Sequence, residues 1–119
     1  MIIIKKSQIG WEREGDYDRY VIHPFSSKPL DTIQIQIVKI YPRMIVKKHY
    51  HSEQYEFMYV LSGSVRFEVN GREDVVHSGD FMIVEPNEVH SVNNYTNVSA
   101  KILVFKHGGS AKDIIWIDE

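Results

Sequence analysis

The sequence predicts an all-β fold whose strands close into a sandwich or barrel, and three observations carry that expectation. β-Branched and aromatic residues gather in short runs with a dominant period of two. Gly, Pro, Asn and Ser separate the runs, and no segment reads convincingly as a helix. Ten or so short strands in 119 residues would present many open edges, which closure removes.

Taken in order, the predicted strands cover residues 2–8, 19–23, 32–40, 45–51, 55–61, 64–69, 73–77, 80–84, 90–93 and 100–106, with a short last one at 113–117. Val65, Phe67 and Val69 alternate with Arg66 and Glu68, marking a strand with one buried and one wet face. Asn70-Gly71 then supplies a two-residue turn that tolerates positive φ, so this strand is expected to return as a hairpin. Ser62-Gly63 and Ser78-Gly79 read as further turns, and Pro24, Pro29, Pro42 and Pro86 as strand limits. Residues 1–119 read as a single domain. Within it, 108–111 reads as a flexible link, and the apolar Ile114, Ile115, Trp116 and Ile117 predict that the tail, 108–119, packs on the barrel or on a partner subunit.

Fourteen basic residues against sixteen acidic ones give a net charge of -2, and no basic cluster exceeds the pairs Lys5-Lys6 and Lys47-Lys48. Such a chain attracts polyanions weakly, so no nucleic-acid partner is expected. The apolar residues 1–4 run straight into Lys5 and Lys6, too short for the core of a secretory signal. No run approaches the roughly 18 apolar residues of a membrane span, so a soluble, cytoplasmic protein is expected.

His49 and His51 stand two apart in a predicted strand, so their side chains leave the same face with Cα atoms about 6–7 Å apart. Two imidazoles so placed can converge on one ion. There is no cysteine, so any metal must sit on nitrogen and oxygen ligands, and a nearby carboxylate would suit Mn, Fe, Ni or Zn. An H-x-H pair alone is weak evidence, because surface and core histidines are common. Strand parity offers Glu53 as the carboxylate.

The run from His49 through His51 to Glu56, with Gly63 seven positions further on, resembles the first motif of the cupin family, H-x-H-x4-E-x6-G. The run from Gly79 through Asp80 and Phe81 to His90 and Asn94 resembles the second, G-x5-P-x-G-x2-H-x3-N. The resemblance covers roughly residues 43–94 and implies a small single-domain cupin of the cupin-2 type, a double-stranded β-helix or jelly-roll barrel. It implies that His49, His51, Glu56 and His90 bind one divalent transition-metal ion, and it selects Glu56 over Glu53. Three positions depart from the family pattern. Arg43 stands where the first motif often begins with Gly, Glu85 takes the usual Pro position with Pro86 after it, and Asn87 takes the usual Gly position. Asn tolerates the left-handed conformation, so that turn is expected to survive, and no departure removes a ligand.

Four protein ligands on an octahedral ion leave about two positions for water, oxygen or a bidentate substrate. Two function classes follow. One is a mononuclear metalloenzyme acting on a small polar or anionic molecule, as an isomerase or dioxygenase. The other is a non-catalytic module that binds or senses a small molecule. Alternation backward from His49 puts Lys47, Ile45 and Arg43 on the ligand face, making Lys47 or Arg43 a candidate partner for an anionic substrate; the competing reading is a solvated strand edge. Glu88 shares the parity of His90 and is a candidate general base at the cavity mouth, against the reading of a solvated turn carboxylate. Tyr55, Met58, Tyr59, Phe67, Phe81, Met82, Val92 and Phe105 are candidate lining or core. His23, His77 and His107 sit at predicted strand ends, where an exposed imidazole needs no role. The apolar N-terminal strand and the tail offer edges for pairing, so a homodimer is expected.

Overall fold

The computed structural model describes residues 3–24, 32–109 and 113–117. Among them the chain forms β1 (Glu12–Arg13), β2 (Tyr17–Pro24), β3 (Ile33–Ile40), β4 (Ile45–Tyr50), β5 (Tyr55–Ser62), β6 (Ser64–Val69), β7 (Arg72–His77), β8 (Phe81–Val84), β9 (His90–Asn93), β10 (Ala100–His107) and β11 (Ile115–Trp116), with no α-helix. The strands make two antiparallel sheets, ordered β1-β2-β3-β10-β5-β8 and β11-β4-β9-β6-β7, in the double-stranded β-helix arrangement. The β6–β7 hairpin turns on Asn70 and Gly71, both at positive φ, and pairs Val69 with Arg72.

The strand expected at 2–8 is not formed by its described residues. Lys6–Gln8 is a single 3-10 turn, closed by the Gln8 amide on the Lys5 carbonyl at 2.9 Å. An apolar run becomes a strand only where another strand offers it hydrogen bonds, and the outer position beside β2 goes to β1 instead. Its register sets Glu12 opposite Arg19 and Arg13 opposite Asp18, with Arg19 Nε 3.0 Å from Glu12 and Arg13 3.6 Å from Asp18. Two residues carry no visible period, so β1 gave no signal in the sequence. The link expected at 108–111 lies partly outside the described residues.

Cross-strand register arranges the interior of the larger sheet in rows. Gln34, Lys106, Glu56 and Val84 form one row, and Gln36, Val104, Met58 and Met82 the next. Val38, Ile102 and Val60 follow, and then Ile40 and Ala100. The inward face therefore runs from polar at one end of the barrel to wholly apolar at the other. The apolar end, joined by Val46, Val65, Phe67 and Val92 from the smaller sheet, is the hydrophobic core. Each fully buried aliphatic side chain there contributes roughly 1.5–3 kcal/mol of burial free energy.

Candidate metal centre

His49 in β4, His51 just beyond it, Glu56 in β5 and His90 in β9 come from both sheets and meet at the polar end of the barrel. All four are buried, and their ligand atoms lie within 4.8 Å of one another. Every imidazole is oriented by a backbone carbonyl. His49 Nδ1 bonds to Lys47 O at 2.7 Å, His90 Nδ1 to Glu88 O at 2.9 Å, and His51 Nδ1 to Asp113 O. A carbonyl only accepts, so each Nδ1 carries a proton, and in the neutral ring Nε2 then keeps the lone pair that a metal needs. His90 Nε2 stands 3.0 Å from Glu56 Oε1, and His51 Nε2, which finds no hydrogen-bond donor, faces the same oxygen. Three imine nitrogens and a carboxylate turned on one point form a donor set that fits a divalent transition-metal ion.

The electrostatics agree with that donor set. Burial, helped by the neighbouring His90, lowers the His49 pKa to about 4, so its ring is neutral at neutral pH. Burial alone would raise Glu56, but the His51 and His90 rings against its Oε1 and the charge of Lys106 outweigh it and hold the carboxyl well below the usual range.

The chain's tail completes the centre. Asp113 Oδ1 accepts from the Ser52 amide and hydroxyl at 2.9 and 2.6 Å, and Oδ2 from the amides of Glu53 and Gln54 at 2.7 and 3.1 Å. Burial raises its pKa, but these bonds together outweigh it and hold the value at about 2. Beyond it β11 pairs with β4, Trp116 lies 4.8 Å from the His49 ring, and Ile114 lines the cavity beside the cluster.

Glu56, not Glu53, joins the histidines. Glu53 is exposed, and among the described residues only its backbone is engaged, because β4 ends at Tyr50 and the turn at 52–54 breaks the parity that pointed to it. Lys47 and Ile45 do not share the ligand face. The β4–β9 register shifts between Val46 and His49, so the buried neighbour of His49 is Val46, and Lys47 faces an outer groove with Arg66 and Glu68. Arg43 adopts φ 64, the left-handed conformation that Gly would take, and its guanidinium bonds the Tyr95 carbonyl and the Asn97 side chain instead of entering the cavity. Asn87, at φ 70, keeps its turn as expected. Glu88 accepts from the Glu85 amide at 2.7 Å and faces a separate hollow with Asn70 and Arg72. Met58, Phe67, Met82 and Val92 point inward, whereas Tyr55, Tyr59, Phe81 and Phe105 lie on the outer face of the larger sheet. His77 and His107 are exposed and outside the cluster, and the His23 side chain lies outside the described residues.

The cluster opens on a cavity of about 50 Å³ lined by Tyr17, Gln36, Met58, Val104, Lys106 and Ile114, among others. Lys106, Gln36 and Tyr17 are its polar groups away from the cluster, and the sequence reading named none of them. The available signal was the alternation Ile102, Val104, Lys106, which competes with the equally apolar Leu103 and Phe105.

These features define a small double-stranded β-helix protein with a His3Glu centre at one end of its lumen. The cupin domain family profile matches residues 36–106, and the chain belongs to the cupin family. A curated relative, an oxalate-binding protein of Thermotoga maritima, is 30% identical over 66 residues, 56% of this chain and 54% of the relative. Among solved structures, a predicted oxalate decarboxylase of T. maritima superposes with TM-score 0.78 at 23% identity, covering 91% of this chain and all of that one. The polyketide cyclase RemF of Streptomyces resistomycificus superposes with TM-score 0.81 at 17% identity, covering all of this chain and 87% of that one. At these identities the structural likenesses show the fold alone.

Proposed function

We propose that His49, His51, Glu56 and His90 ligate one divalent transition-metal ion, and that the chain is a mononuclear metalloenzyme acting on a small polar or anionic molecule in the lumen. The observation that carries this reading is the orientation of the rings: three Nδ1 atoms are committed to carbonyls, leaving three Nε2 atoms gathered with one carboxylate. A bound ion supplies Lewis acidity toward a carbonyl or carboxylate oxygen, chemistry shared by isomerisation and oxygen-dependent cleavage. The protein's part is to orient the ligands through Lys47, Glu88 and Asp113 carbonyls, and to limit water with Ile114 at the cavity wall. Polar groups in the lumen favour an enzyme over an inert binding module. The volume favours a substrate of a few heavy atoms, in keeping with the oxalate named for the Thermotoga relative and far below a polyketide.

Elemental analysis of the purified protein is expected to find about one transition-metal ion per chain, and His51→Ala to abolish it. Metal affinity is expected to fall as pH drops toward about 4, where His49 takes up a proton, and chelation to lower the melting temperature. A melting curve indifferent both to chelator and to His51→Ala sinks this assignment.

We further propose that the protein is a cytoplasmic homodimer, with the contact surface moved from the chain ends to the outer face of the larger sheet. Among the described residues no helix is long and apolar enough to cross a membrane. β11 is already paired with β4, but Tyr55, Tyr59, Leu61, Phe81 and Ile83 are exposed together, flanked by Phe57, Leu103 and Phe105. Charged residues stand only at the ends of these strands, as with Lys101 and Glu85, so two copies can meet across the centre without like-charge repulsion. Sedimentation is expected to show a dimer that Tyr59→Lys converts to monomer; a wild type monomeric at high concentration refutes it.

A further inference from the structure

Lys106 is the charged group of the lumen that the metal centre does not use. Its side chain is 8% exposed, and among the described residues it makes no direct ion pair or hydrogen bond. Its register partners are Glu56 on one side and Gln34 on the other, so it stands in the same inward row as the metal-facing carboxylate. Gln34 Nε2 donates to Gln36 Oε1 at 3.3 Å, and Gln36 lines the cavity together with Lys106 and Tyr17. A buried ammonium without a counter-ion is costly, and proteins bury such a charge where something else neutralises it.

Glu56 does not serve as that counter-ion once the site is loaded. A divalent ion, one carboxylate and one ammonium leave a net charge of +2 in a small, mostly apolar cavity. The walls nearby add Val104, Ile102 and Val38, none of which can compensate it.

We infer that Lys106, with the Gln36 amide, is the second anchor of a substrate site for small organic diacids, one carboxylate meeting the metal centre and the other the Lys106 ammonium. This rests on the metal reading above and adds the substrate class. A diacid brings two negative charges, which cancel the +2 of the loaded lumen, and a two- or three-carbon chain suits a cavity of about 50 Å³. Gln34 Oε1, buried without a partner, keeps the neighbouring end of the lumen polar. Tyr17 also lines the cavity.

The test is calorimetric titration of metal-loaded and metal-free wild type and Lys106→Met with oxalate and malonate, with oxamide as the uncharged analogue. Metal content is measured on the protein recovered afterwards, so that stripping by the acid is not read as binding. Lys106→Met removes a buried charge and keeps a long flexible stem, so it is expected to fold with unchanged or higher melting temperature and unchanged metal content. Its affinity for at least one diacid is expected to drop tenfold or more, and oxamide to bind wild type more weakly than either acid. A smaller loss, loss of metal together with affinity, oxamide binding as tightly as the acids, or wild type that binds neither acid overturns the inference. If the chain takes up no metal, the metal reading falls by itself. The metal-free comparison of wild type with Lys106→Met then decides on the anion anchor, a tenfold difference supporting it and a smaller one overturning it.

Discussion

Asn94→Ala is expected to destabilise the protein by about 4 kcal/mol, lowering the melting temperature by roughly 15 °C, while the folded fraction still binds metal with unchanged stoichiometry. Asn94 is fully buried. Its Nδ2 donates to the carbonyls of Ile40, Tyr41 and Val98 at 3.0, 3.2 and 2.8 Å, and its Oδ1 accepts from the Thr96 amide and hydroxyl at 3.0 and 2.7 Å. One side chain thus ties the end of β3 to the loop between β9 and β10. Alanine removes these bonds and leaves buried carbonyls and an amide without partners, each costing about 1–3 kcal/mol before relaxation. Paired thermal melts and metal analysis check this; a loss below about 1 kcal/mol would show that water or loop movement replaces the amide.

Asp113→Ala is expected to weaken metal binding at least tenfold and to cost about 2 kcal/mol at neutral pH. The carboxylate anchors the tail by four hydrogen bonds, and the same residue's carbonyl fixes the protonated nitrogen of His51. Its folded pKa, about 2, lies below the ordinary 3.8. A depressed carboxylate stabilises the fold fully above the unfolded value and ceases to do so as pH falls through the folded one. The stability gap between wild type and Asp113→Ala should therefore be constant above about pH 4 and close toward pH 2. Denaturant melts across that range test the sign, and a gap that widens in acid would contradict it.

The fold and the four central residues were legible for different reasons. His49 and His51 followed from strand geometry, since a period of two is visible wherever a strand is regular. Glu56 and His90 came from motif spacing, because the turn at 52–54 scrambles the parity that would otherwise have chosen Glu53. Lys47 was misplaced by the same kind of event, a shift in register between Val46 and His49 that no residue type announces. The lumen's polar groups were hidden by a subtler ambiguity. In β3 the isoleucines at 33, 35 and 37 face outward while Gln34 and Gln36 are buried, the reverse of what side-chain polarity suggests. Alternation shows that a strand has two faces; which one looks inward depends on the strands around it. The contact between Asp113 and His51 joins residues 62 positions apart, beyond the reach of any local pattern.

The row-by-row gradient inside the larger sheet separates the residues that can change from those that cannot. Substitutions at Gln34, Gln36 and Lys106 change the polar rows of the interior while the rows containing Ile40, Val60, Ala100 and Ile102 stay intact. Acceptance of a new ligand and retention of the fold are thereby written on different stretches of the same strands. A lineage carrying this barrel can drift in specificity at one end without crossing an unfolded intermediate, and a designer can randomise those three positions with the same freedom.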